Sequence, residues 1–166
     1  EERQQIAKAV ESIERTTGTR PTGWYCRYAP SDHTRRLLVE EGGFAYDSDA
    51  YNDELPYWVA QSGRQHLVVP YTLTNNDVKF GRGTVGSGDQ FYNLLSDAFD
   101  VLYEEGDVAP KMMTVGLHPR VIGHPARAKS LARFLDYVTG HDRVWIARRL
   151  DIANHWITHF PAGDIT

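Results

Sequence analysis

The 166 residues are 41% hydrophobic and 24% charged, ordinary proportions for one soluble globular domain able to bury a core. No apolar run approaches the roughly 18 residues that span a bilayer, and the start Glu1-Glu2-Arg3-Gln4-Gln5 lacks a signal peptide's cationic and apolar regions. Eighteen Lys and Arg against 22 Asp and Glu give a net charge of -4, with the basic residues scattered, so nucleic acid is not an expected partner.

The lone Cys26 excludes an internal disulfide and a cysteine-rich zinc module. A cytoplasmic location with no membrane partner is expected, although a bacterial secreted protein without disulfides would read the same.

Ile6, Val10 and Ile13 recur at helical spacing over Glu2 to Thr17, and Gly18 supplies a C-terminal stop. An alternation follows: a strand over Thr22 to Cys26, a helix over Thr34 to Glu41, and strands over Phe44 to Asp49 and His66 to Leu73. Then come a helix from about Gln90 to Glu105, a strand over Met112 to Leu117 and a helix from about Ala126 to Thr139. A strand over Val144 to Ala147 and a helix from about Ile152 complete the series. Short apolar strands separated by helices predict an α/β fold with a mainly parallel sheet.

The segments 52–64 and 74–89 are too long and polar for simple connections, and such loops are disproportionately functional. One domain over 1–166 is expected. Its opening on a helix reads as the later part of a βα array, whose earlier strands are expected upstream or on a second chain.

In parallel α/β folds polar chemistry collects where strands end. The predicted strands deliver Arg27, then Asp47 and Asp49, then Asn75, Asn76 and Asp77, then His118, and last Arg148, Arg149 and Asp151. His118 follows an apolar run and precedes Pro119. Its imidazole can exchange a proton at neutral pH, and the alternative is a hydrogen-bonded core histidine. Arg27 either fixes a carboxylate through paired hydrogen bonds or is solvated. Asp47 and Asp49 share one side of a strand, as paired acids, as partners of an arginine, or as a solvated strand end.

His155 and His159 have the i, i+4 spacing of zinc ligands. They lack the glutamate of a zinc-protease helix and a third ligand nearby in sequence, so an exposed terminal helix is the favoured reading.

The order of several motifs resembles the polysaccharide-deacetylase (NodB-homology) superfamily, most closely its allantoinase-like branch. They are Gly18-Thr-Arg-Pro-Thr-Gly-Trp24, Arg27-Tyr-Ala-Pro30, Gly43-Phe-Ala-Tyr-Asp-Ser-Asp49, Asp53-Glu-Leu-Pro-Tyr-Trp58, Val69-Pro-Tyr-Thr72 with Asn76-Asp77, Val115-Gly-Leu-His118 and Gly140-His-Asp-Arg-Val-Trp-Ile-Ala-Arg-Arg149. The resemblance implies a distorted (β/α) barrel of which this chain supplies the later strands. It implies that Arg27 orients the catalytic carboxylate, that the aspartate-rich segment from Asp47 to Asp53, with Asp47 and Asp49, supports the pocket and that His118 is the general acid. It also implies that Trp24, Tyr71, Asn76 and Leu117 line the substrate cleft. The family's aspartate-rich motif and its His-x-x-x-His metal motif do not occur before Arg27.

The implied activity is hydrolysis of a non-peptide C–N bond, in a cyclic amide or ureide such as allantoin, with no metal expected in this chain. A metal-dependent N-deacetylase of acetylated sugars, using a divalent ion such as zinc, is the second reading. A non-catalytic half that needs a partner chain is the third. A small-molecule substrate and a homo- or hetero-oligomer are the expected partners.

Overall fold

The computed structural model describes residues 1–163, so residues 164–166 of the expected 1–166 domain lie outside the described residues. The chain forms two compact units, one of residues 1–70 with the segment from Ala147 onward and one of Tyr71–Ile146.

The first unit opens on α1 (Glu2–Thr17), which buries Ile6 and Val10 and ends where Gly18 turns left-handed at φ 73°. Ile13 stands at the same helical spacing but is exposed. Next come β1 (Gly23–Trp24), α2 (Thr34–Glu41), β2 (Tyr46–Asp47), β3 (Tyr57–Gln61) and β4 (Arg64–Val68). The sheet order is β1-β2-β4-β3, with β1, β2 and β4 parallel and β3 antiparallel to β4. Leu67, Val68 and Val69 have no exposed surface, and Ile6, Leu37 and Leu38 form an apolar cluster against Trp24 and Phe44.

The β3–β4 hairpin corrects the expected loop over 52–64. Gln61 pairs with Arg64, and Ser62 and Gly63 between them have φ of 51° and 71°. Both residues of the loop are left-handed, which matches the twist of the flanking strands. Ser-Gly at that point was a readable hairpin signal that the polar composition masked.

The second unit holds a 3₁₀ turn (Asp77–Phe80), α3 (Gly88–Glu105), α4 (Pro119–Ile122) and α5 (Pro125–Thr139). Its apolar cluster is Val85, Phe91, Leu95, Phe99, Ile122, Phe134 and Val138. Ser87 caps α3 by accepting from the Gln90 N–H at 3.2 Å. Pro119 and Pro125 each occupy a first helical turn, where a missing N–H costs nothing.

The expected strand over Met112 to Leu117 is an extended segment with one bridge, Asn76 to Gly116. Threonine hydroxyls take the place of a ladder. The Thr72 N–H donates to Thr114 Oγ1 at 2.7 Å and the Thr114 N–H to Thr72 Oγ1 at 3.1 Å. The expected strand over Val144 to Ala147 joins no sheet among the described residues. Within the first unit, α6 (Arg149–His159) closes the chain, and Trp58 Nε1 of β3 donates to the Phe160 carbonyl at 2.7 Å.

Candidate active site

Two carboxylate–histidine pairs stand out, one in each unit. In the second unit Asp77 is fully buried and accepts twice from His118. Its Oδ2 takes the His118 backbone N–H at 2.8 Å, and its Oδ1 meets ring Nδ1 at 2.6 Å. A carboxylate in that position holds the ring with its proton on Nδ1 and leaves Nε2 for another partner. The His118 side chain keeps 34% of its surface exposed, so solvent-side molecules can reach it. His118 also caps α4, its carbonyl accepting from Val121 at 2.7 Å and Ile122 at 2.9 Å. Pro119 therefore starts a helix at this point, and the extended run stops because α4 begins.

Asp77 is placed by its own backbone, whose N–H donates to the Gly116 carbonyl at 3.0 Å. The preceding Asn76 accepts from the Val78 N–H at 2.8 Å and donates through Nδ2 to Tyr71 Oη at 2.5 Å. Tyr71 and Asn76 are both buried. Gly116 is required where these side chains meet, because a Cβ there would lie 2.0 Å from Tyr71 Oη and 2.4 Å from Asn76 Nδ2. Tyr71, Asn76 and His118 are thus brought into one hydrogen-bonded corner, and Leu117 beside them is 42% exposed.

In the first unit the buried Asp47 carboxylate is fully engaged. Arg35 Nε donates to Oδ2 at 2.7 Å and Arg35 Nη2 to Oδ1 at 3.0 Å, while His66 Nε2 meets Oδ2 at 3.0 Å and the Asp49 N–H meets Oδ1 at 3.0 Å. Burial alone would raise its pKa, but the His66 and Arg35 hydrogen bonds outweigh that and lower it to about 2. Asp49 goes the other way. Burial raises it against the pull of the Cys26 N–H, which donates to Oδ1 at 2.8 Å. Its Oδ2 is buried with no hydrogen-bond partner. The adjacent aspartates are therefore not an equivalent pair: one is an anchored anion and the other a carboxyl that holds its proton more readily than usual.

Arg27 clamps neither Asp47 nor Asp49, and the carboxylate that the resemblance assigns to it belongs to a motif absent from these residues. Arg27 sits on an exposed loop after β1, lies 4.8 Å from the Tyr28 ring centroid and forms no ion pair among the described residues. The paired hydrogen bonds come from Arg35, which the first turn of α2 sets beside β2. Trp24 is held by packing, its ring edge-on to Phe44 at 5.6 Å and its Nε1 donating to Cys26 Sγ at 3.2 Å. The strand pattern delivers Asp77, whereas nothing in the sequence marks Arg35 or His66 as site residues. Asp77 had a signal, its place next to Asn76 after an apolar run, whereas Arg35 reads as one more charge on a helix.

The two pairs do not by themselves make a metal centre. Each offers one carboxylate and one imidazole, Asp47 is already neutralised by Arg35, and the described residues contain no group of three or more His, Cys, Asp or Glu that could hold a metal ion. No helix among them is long and apolar enough to cross a membrane.

No family model matches the chain. It is 39% identical over 178 residues to a Schizosaccharomyces pombe protein whose name places it among the polysaccharide deacetylases, covering 96% of this chain and 55% of that protein. A solved structure of a probable polysaccharide deacetylase from Pseudomonas aeruginosa PAO1 is 50% identical with a TM-score of 0.91. The crystal structure of Puue allantoinase is 48% identical with a TM-score of 0.92. Each solved structure is matched over 97% of this chain and 54% of its own length. The chain spans about half the length of the relatives it matches, which fits the later part of a (β/α) barrel. In motif order and fold the chain is similar to polysaccharide deacetylases, the group to which its homologues and structural neighbours belong.

Proposed function

We propose that these residues supply the acid side of a hydrolase that cleaves non-peptide C–N bonds, with a cyclic amide or ureide such as allantoin as substrate. The observation that carries the reading is the Asp77–His118 pair, a buried carboxylate fixing a ring that is still accessible. In the proposed reaction water attacks the substrate carbonyl, and hydrogen-bond donors hold the oxyanion. His118 then passes a proton from Nε2 to the departing nitrogen as the C–N bond breaks, a role worth about 10² to 10⁴ in rate. The proton returns from the attacking water through the base, which we assign to the protein beyond this span.

The choice of substrate leans on the likeness to Puue allantoinase. The near-equal likeness to the Pseudomonas aeruginosa protein keeps a second reading, an N-deacetylase of acetylated sugars that uses a divalent ion. The complete protein should be assayed on allantoin and on N-acetylated sugar oligomers, with and without a chelator, beside its His118→Ala variant. Turnover of allantoin that survives chelation and falls at least a hundredfold in the variant is expected. Chelator-sensitive deacetylation would establish the second reading, and undiminished turnover in the variant would remove His118 from the mechanism.

A further inference from the structure

The C-terminal half of α6 carries a feature that the proposed reaction does not use. His155 and His159 are both exposed, with ring centroids 4.5 Å apart and planes inclined by 42°. Residues four apart share one helical face, and neutral imidazole is the commonest protein ligand of transition metals. The helix end is fixed: the Phe160 N–H donates to the Trp156 carbonyl at 2.8 Å, the two rings lie 4.4 Å apart, and Trp58 Nε1 holds the Phe160 carbonyl. The backbone that carries both rings is thus held in place. Carbonyl dipoles at a helix C-terminus also favour a cation there.

We propose that His155 and His159 form a two-nitrogen surface site for a borderline divalent transition-metal ion, its remaining positions filled by water or small anions. Imidazole donors select Cu²⁺, Ni²⁺ and Zn²⁺ over the oxygen-seeking Mg²⁺ and Ca²⁺, with Cu²⁺ bound most tightly. This site is separate from any metal the deacetylase reading requires. It has a practical consequence for that reading, because zinc uptake alone would not show a metal at the reaction centre.

The complete protein and its His155→Ala, His159→Ala and double variants should be titrated calorimetrically with Cu²⁺, Zn²⁺ and Mg²⁺, and their folding compared by circular dichroism. The wild type is expected to bind one more equivalent of Cu²⁺ than the double variant, and each single variant should bind that equivalent at least tenfold more weakly. Mg²⁺ should show no difference among the four. Equal Cu²⁺ stoichiometry and affinity in wild type and double variant would overturn the proposal. So would loss confined to one of the two single variants, since a chelate needs both rings.

Discussion

Replacing Asp47 by Asn keeps the shape of the side chain and removes the charge that Arg35 and His66 hold. Asp47 has no exposed surface, and its pKa falls from the usual 3.8 to about 2 in the folded chain. At pH 7 that difference corresponds to about 2 kcal/mol of stability. Arg35 keeps 30% of its side-chain surface and can turn toward water, whereas His66 keeps 6% and cannot. A loss of about 2 to 4 kcal/mol is therefore expected for Asp47→Asn.

The pH dependence separates this cause from simple mispacking. Because the folded pKa is depressed, the stabilisation is complete above the unfolded value of 3.8 and is lost as pH falls through about 2. About half of it should be gone near pH 3. Urea unfolding of the complete protein and of Asp47→Asn at pH 7, 5, 4 and 3 measures the gap between them. It should be constant from pH 7 to 5 and then shrink. A gap that stays constant to pH 3, or widens on acidification, would refute the electrostatic account.

Asp77→Asn should leave the fold intact and lower turnover by about 10² or more, because an amide that presents its N–H₂ to Nδ1 selects the wrong tautomer of His118. Steady-state kinetics check this, and a change in KM without a change in kcat would count against it. Gly116→Ala forces a Cβ to within 2.0 Å of Tyr71 Oη and breaks into the Asn76–Tyr71 contact. It should destabilise by about 1 to 3 kcal/mol, read as a fall in thermal midpoint, and an unshifted midpoint would show that the corner yields freely.

The helices were legible because their signals are local. Apolar spacing and Gly18 place α1 at Glu2–Thr17, and α2 falls at Thr34–Glu41 as its pattern requires. The sheet was less so, since pairing depends on what lies alongside. Met112 to Leu117 has a strand's composition, yet it meets its partner segment through the hydroxyls of Thr72 and Thr114 and one bridge, Asn76 to Gly116. The site shows the same division. His118 announces itself by ending an apolar run, and Asp47 and Asn76 by following strands. Arg35 could not be told from Arg36, because only the approach of α2 to β2 decides which guanidinium meets the carboxylate; Arg36 pairs with Glu40 on the helix's own surface.

The two histidine–aspartate pairs show why a pairing alone does not assign a catalytic role. Both aspartates are buried, and each has an imidazole within 3.0 Å. At Asp47 the charge is shared with a guanidinium, all close contacts are internal and His66 is nearly inaccessible, so a proton has nowhere to go. At Asp77 no arginine or lysine forms an ion pair among the described residues, and the accepting bonds come only from His118. Its partner His118 keeps 34% of its side-chain surface exposed. Burial of the anion with exposure of its partner is the combination that the proposed proton transfer needs, and of the two pairs the one at His118 has it and the one at His66 does not.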